Sequence, residues 1–191
     1  MRRMIAAVTG ALCGAVLLAG CSPPRLPLAA IWLDGGRPWA LTLPCGDDPV
    51  NGVSLAGRPD TGQEEPDRPD VSPSPTPTSS ADALAAWRAL HPGWTSESRH
   101  PLSRRPFPLF EPPASFEAEW SGPAEEAPRP GYTYALEFHS YDDDGFFSKG
   151  MYRGDVFVTT EELATLRPGQ VWADSRAMSR DGFLELVADH C

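Results

Sequence analysis

The chain is poor in positive charge. Its 191 residues include a single lysine, Lys149, and its 16 basic residues stand against 26 acidic ones, which gives a net charge of −10. Such a surface repels nucleic acids and anionic lipid headgroups, since both are polyanions. We therefore expect no nucleic-acid partner, and we expect that no basic patch holds the chain to a membrane.

The chain also lacks the motifs that usually mark a catalytic or metal site. No His-Glu-x-x-His, Gly-x-Ser-x-Gly or phosphate-loop motif is present. The four histidines show no metal-ligand spacing, so we interpret them as structural or surface residues. We predict no catalytic residues, no metal and no cofactor. The histidines are His91, His100, His139 and His190.

Paired carboxylates are the catalytic alternative that the sequence leaves open. Glu117 with Glu119, or Glu161 with Glu162, could perform glycoside chemistry, which needs two acids. Acids two residues apart on a strand share one wet face, and such a face favours solubility over catalysis. A hydrolase therefore requires carboxylates that converge only in the folded chain.

Two short motifs resemble ligand-binding sequences, but we interpret neither of them as a binding site. Asp142 to Asp144 precede Gly145, as in calcium loops, but Met151 stands where the bidentate Glu is needed. We interpret this acidic run as a solvated loop. Arg153-Gly154-Asp155 spells an integrin-binding tripeptide, and three residues arise by chance too easily to carry a function.

The amino terminus carries the most specific pattern in the chain. Arg2 and Arg3 precede an apolar stretch over residues 4–18, and Ala19 and Gly20 then lead into Cys21. Residues 20–24 stop this stretch short of the roughly 20 apolar residues that a bilayer-spanning helix needs. The stretch could also be an ordinary secretory signal followed by an incidental cysteine, or the buried first helix of a cytosolic protein.

The run Leu18-Ala19-Gly20-Cys21 resembles the lipobox of bacterial membrane-anchored lipoproteins. The resemblance implies cleavage before Cys21, acylation of its thiol, and a place on the extracytoplasmic face of the bacterial cell membrane. Removal of residues 1–20 would leave 171 of the 191 residues and change the net charge from −10 to −12. The membrane partner would then be reached through the lipid anchor at Cys21.

Two cysteines follow the lipobox. Export would place Cys45 and Cys191 in an oxidising compartment, where a disulfide between them is the simplest assignment. Two separate thiols are the alternative.

The rest of the chain predicts one β-rich domain. Residues 21–27, with three prolines, form a tether, and residues 28–191 form the domain. Residues 57–80 are rich in Pro, Ser, Thr and acids and predict a disordered insert. A short amphipathic helix follows from residue 81, with Ser79 or Ser80 as N-cap, and Thr159-x-x-Glu162 predicts a capping box.

Alternation of apolar and polar residues predicts about eight short strands and an antiparallel β-sandwich, immunoglobulin-like or fibronectin-like, or an open barrel, with one or two short helices. The turn at residues 166–169 resembles the one before a late strand in fibronectin type III domains. Trp32, Trp39, Trp120 and Trp172 are expected in the core, the alternative being an exposed aromatic platform. The strands are expected at 28–33, 39–43, 53–55, 116–120, 132–139, 156–159, 170–178 and 183–188.

These observations favour a noncatalytic binding or scaffolding module of the cell envelope, whose partner is another envelope protein or a wall component. The alternative is an envelope hydrolase with carboxylate-based catalysis. A solute-capturing lipoprotein would need two lobes, for which the chain is short.

Overall fold

The computed structural model describes residues 23–46, 50–60, 77–97, 104–140 and 152–191. It is mainly β, with two sheets packed as a sandwich, so the predicted fold class is confirmed. The strands are β1 (Arg25–Leu26), β2 (Ala29–Asp34), β3 (Arg37–Thr42), β4 (Val50–Pro59), β5 (Gly93–Ser96), β6 (Phe107–Pro108), β7 (Glu119–Trp120), β8 (Tyr132–Ser140), β9 (Tyr152–Thr159), β10 (Gln170–Ala173) and β11 (Arg176–Ser179). The α-helices described are α1 (Pro77–Leu90), α2 (Thr160–Thr165) and α3 (Arg180–His190).

The strands divide into two sheets with mostly antiparallel pairing. Sheet A has the order β1-β9-β8-β4-β5-β7, and sheet B has the order β11-β10-β2-β3-β6. The pair β1 and β9 is parallel, with Arg25 opposite Arg153. Because β1 belongs to sheet A, the sandwich takes in Arg25 and Leu26, which are part of the predicted tether.

The main core lies between the two sheets. Strand β8 alternates strictly, with Tyr134, Leu136 and Phe138 buried, and sheet B contributes Ile31 and Ala40 from the opposite side. Gly154 lies beneath the ring of Phe138, where any Cβ would collide with it. Trp172 joins the sheets directly, since its Nε1 donates to the carbonyl oxygen of Phe157 at 2.8 Å.

A third layer covers the other face of sheet B. Phe183 is buried on α3, and Leu186 and Val187 pack with it against Trp32 and Leu41 of sheet B. The apolar residues of α3 recur at i, i+3 and i+4, which is helical spacing. Ser179 caps the helix by accepting from the backbone N–H of Gly182 at 3.0 Å. The strand predicted over residues 183–188 is therefore wrong, because the stretch begins with a capped helical turn.

Two other strand predictions need correction. Residues 170–178 form a hairpin rather than one strand, since Asp174 and Ser175 adopt positive φ angles of 50° and 55° and turn the chain. Residues 116–120 give a short 3-10 helix ending at Phe116 and the two-residue strand β7. Left-handed backbone at Glu117, with φ 47°, breaks the expected alternation there.

The tryptophans divide between core and surface. Trp32 and Trp172 are buried, as expected, whereas Trp39 is only half-buried and packs against the core. Trp120 is 41% exposed because β7 is an edge strand, so its predicted place in the core is wrong. Trp94, its partner across the β5–β7 pair, is fully buried and donates from Nε1 to the carbonyl oxygen of Leu109.

The predictions for where two of the helices begin are partly correct. Thr159 and Glu162 form the expected capping box, with bonds of 3.1 and 2.8 Å. Helix α1 begins at Pro77, so Ser79 and Ser80 lie inside it rather than at its N-cap. Strand β4 continues to Pro59, so both ends of the predicted insert are ordered, and residues 61–76 lie outside the described part.

A disulfide joins Cys45 to Cys191, which confirms the predicted pairing. Cys45 follows β3, and Cys191 ends α3, so the bond ties the covering helix to sheet B. The backbone N–H of Cys45 also donates to Oη of Tyr152 at 2.7 Å, which links the same point to sheet A.

We predict that the double variant Cys45→Ser, Cys191→Ser loses up to about 4–5 kcal/mol of unfolding free energy, because the bond closes a loop of nearly the whole domain. Urea denaturation of variant and parent measures the loss. Peptide mapping of the native protein without reductant checks the pairing itself, and two alkylatable thiols would contradict it.

Candidate functional site

The two ends of the sandwich carry different features. Strand β2 runs from the region of Arg25 to a turn at Gly35 and Gly36, and β3 returns to Cys45. The end with Arg25, Cys45 and Cys191 is called here the proximal end, since it receives the amino-terminal segment. The other end, about 20 Å away along the six residues of β2, is called the distal end.

An open cleft of about 610 Å³ lies at the distal end. The β2–β3 turn forms one wall, and the turn that follows α2 forms the other. In that second turn the N–H of Gln170 donates to the carbonyl oxygen of Arg167 at 3.0 Å, as the Arg-Pro-Gly sequence predicted. The cleft is lined by Trp32, Leu33, Asp34, Gly35, Gly36, Leu166, Arg167, Pro168, Gly169 and Arg180.

Arg180 is held over the indole of Trp32. Its Cζ lies 4.7 Å from the ring centroid, which is cation–π distance. Trp32 is 5% exposed and packed between sheet B and α3, so the ring is a fixed base for the guanidinium. Among the described residues, no carboxylate lies within ion-pair distance of Arg180, so the N–H donors of its guanidinium are available for a ligand.

Sheet A carries a second group of functional side chains on its outer face. The charged face consists of Arg25, Glu137, His139, Arg153 and Asp155. Nη1 of Arg25 lies 3.7 Å from Oδ2 of Asp155, and Nη1 of Arg153 lies 3.9 Å from Oε2 of Glu137. The Arg-Gly-Asp sequence thus sits in a strand, with its charged residues paired and its glycine against Phe138.

Burial changes the ionisation of two groups on the charged face. The pKa of Asp155 is raised, mainly by burial and further by Glu137, while Arg25 and Arg153 oppose the shift. The pKa of His139 is lowered, mainly by burial and then by Arg153, with Glu137 acting against it. Burial and Arg153 therefore both favour the neutral imidazole of His139 over the imidazolium.

A smaller cleft of about 260 Å³ separates α1 from the outer face of sheet A. Arg58, Glu137 and Phe157 lie on its sheet side. On the helix side the rings of Trp87 and His91 stack with centroids 4.3 Å apart, and His91 donates from Nδ1 to the carbonyl oxygen of Trp87. This buried histidine closes the end of α1, which supports a structural role.

A third cleft of about 480 Å³ borders the edge strand β7. Trp120 and Phe110 give it aromatic surface, and Glu111, Glu125 and Glu126 give it acids. Glu125 has a structural role, because it accepts a hydrogen bond from Oη of Tyr134 at 2.8 Å and forms an ion pair with Arg129. Glu111 is likewise paired with Arg37.

The carboxylate pairs considered from the sequence do not form a site. Glu162 is used by the capping box, and Glu161 accepts from the backbone N–H of Gly131 at 3.2 Å. Glu117 and Glu119 are exposed near the sheet edge. The acids that do come together are Glu137 and Asp155, which are direct cross-strand partners. Sequence spacing could not find them, since 17 residues separate them.

Several candidate residues lie outside the described part of the chain. These include Cys21, His100 and the acidic run 142–144. His190 is described and is exposed near the end of α3, where Nδ1 donates to the carbonyl oxygen of Leu186. Among the described residues, no group of three or more His, Cys, Asp or Glu side chains is placed to hold a metal ion.

Comparison with known proteins identifies no similar protein. No protein-family model, curated protein or solved structure matches this chain. Within the ranges that the structure covers, no helix is both long enough and apolar enough to cross a bilayer.

We predict that Asp155→Asn raises the melting temperature at pH 7. The folded-state pKa of Asp155 is raised, so its ionised form is less favourable in the native state than in the unfolded chain. Below the unfolded-state pKa both states are protonated, so the difference between variant and parent should disappear at low pH. Thermal melts at several pH values measure this.

Asp174→Asn is the matched control. The side chain of Asp174 is 49% exposed beside Arg176, and we expect a change within about 0.5 kcal/mol at every pH. A lower melting temperature for Asp155→Asn at pH 7 would show that the ion pair with Arg25 outweighs burial.

Proposed function

We propose that this chain is a lipid-anchored extracytoplasmic lipoprotein whose domain acts as a noncatalytic binding or scaffolding module of the bacterial cell envelope. The lipobox at Cys21 supplies the anchor, and an envelope protein or wall component supplies the partner. The observation that carries the proposal is the bond between Cys45 and Cys191, because disulfides persist in oxidising compartments and are rare in the cytosol.

The position of the first strand supports the same proposal. Pairing begins at Arg25, only a few residues after Cys21. A lipid on Cys21 would therefore hold the proximal end close to the bilayer and leave the distal cleft facing away from it. Two acyl chains give a stable anchor, since each buried CH₂ contributes about 0.8 kcal/mol.

The surface geometry supports binding over catalysis. The three clefts described are lined by aromatic rings, arginines, glycines and prolines, and the carboxylates of Glu111, Glu125 and Glu137 on their walls are taken up in ion pairs of the fold. Open clefts with a few convergent polar groups are typical of ligand sites.

One observation favours the alternative of an envelope hydrolase. Glu137 and Asp155 face each other across β8 and β9, and Asp155 has a raised pKa, which is a property of catalytic acids. Each carboxylate nevertheless has an arginine partner, and ion-pair networks shift pKa values without any catalytic role.

For the anchor, we expect cells grown with an alkyne analogue of palmitate to give a labelled, membrane-bound product. Cys21→Ser should lose the label, and Cys45→Ser should keep it, since its thiol is not in the lipobox. Click detection after membrane fractionation is the measurement. An unlabelled, soluble product that keeps its initiator methionine contradicts the anchor and the compartment.

For catalysis, we expect no release of soluble fragments from purified peptidoglycan by the wild-type protein. Product release by chromatography is the measurement. Turnover by the wild type that Glu137→Gln and Asp155→Asn each abolish would support the hydrolase alternative. Glu119→Gln is the control and should retain that turnover, because Glu119 is an exposed acid of the same sheet.

A further inference from the structure

We propose that the distal cleft is the ligand site of this module and that it binds an anionic group, a carboxylate or a phosphate, through Arg167 and Arg180. The inference rests on the proposed function, because it names the chemistry that the binding module would recognise. It is carried by the charge, the geometry and the openness of the cleft.

The cleft is basic in an acidic protein. Arg167 and Arg180 line it against one acid, Asp34, whereas the whole chain has a net charge of −10. Other arginines of the described chain, such as Arg25 and Arg153, are neutralised by carboxylates. In the part of the chain that the structure describes, the side chains of Arg167 and Arg180 have no carboxylate within ion-pair distance.

Two arginines match the shape of a carboxylate or phosphate better than a cation that acts as a point charge would. A guanidinium presents parallel N–H donors that match the two oxygens of a carboxylate or phosphate. The indole of Trp32 fixes the guanidinium of Arg180 at 4.7 Å, so less side-chain freedom is lost when a ligand binds. Arg167 lines the same cleft from the turn that follows α2, and that turn is closed by its own backbone hydrogen bond.

The rim of the cleft is open. Gly35, Gly36 and Gly169 adopt positive φ angles, and a Cβ built on any of them would meet no atom within 4 Å. These turns therefore leave backbone without side chains at the mouth. A cleft of about 610 Å³ has room for a sugar-sized or peptide-sized group that carries the anion.

The test measures the binding of inorganic phosphate and of acetate to the full-length lipoprotein in nonionic detergent at low salt, by equilibrium dialysis. We expect at least one of the two anions to bind, with an affinity that falls as sodium chloride is added. Arg167→Gln and Arg180→Gln should each weaken binding about tenfold, since each removes charge-assisted hydrogen bonds. Arg180→Lys should lie between Arg180→Gln and the wild type, because it keeps the charge and loses the fork.

Arg176→Gln is the matched control. Arg176 is an exposed arginine of the neighbouring strand β11, it does not line the cleft, and its loss should leave the affinity unchanged. Preference for phosphate assigns phosphate-bearing ligands, and preference for acetate assigns carboxylate-bearing ligands. Absence of binding by both anions, or equal affinities of wild type and both cleft variants, overturns the proposal.

The anion-binding test and the lipid-labelling test can fail independently of each other. If Cys21 is labelled by lipid and neither anion binds, the anchored module stands and the assignment of its ligand fails. If an anion binds through the two arginines and Cys21 is not labelled, the cleft stands and the envelope role fails.

Discussion

Burial of sheet B on both faces is the constraint on which the rest of the structure depends. Ala29 and Ile31 face sheet A, while Ala30 and Trp32 face α3. An antiparallel sheet usually leaves one face in water, so this arrangement needs a third layer. Helix α3 provides that layer, and the disulfide at Cys191 fixes the carboxyl end of the helix.

The same constraint explains what sequence reasoning could and could not predict. The alternation of β8 has one buried and one wet face, and its strand was predicted nearly to the residue. Helix α3 was missed because Phe183, Leu186 and Val187 fit a strand almost as well as a helix over so short a stretch. The sequence signal for a covering layer lay elsewhere, in β2, where the uninterrupted apolar run from Leu28 to Leu33 indicates a strand covered on both faces.

The candidate sites were less accessible to sequence reasoning than the fold. Cys45 and Cys191 could be paired by elimination, because few cysteines are present. Glu137 and Asp155 meet only through the register of β8 and β9, and Arg167 and Arg180 line one cleft only because the turn after α2 and the start of α3 lie at the same end of the sandwich. Neither arrangement leaves a local motif. Both follow from topology, which pattern and spacing within one segment do not specify.

The two ends of the sandwich differ in whether their arginines are paired with carboxylates. Near the proximal end and along sheet A, Arg25 and Arg153 are paired with acids, which largely cancels their charge. At the distal end, Arg180 is held by an aromatic ring, which orients a cation without neutralising it. Because a charge that is oriented but unpaired can attract a counterion, the proposed anion site lies at the end that the proposed lipid anchor would turn away from the bilayer.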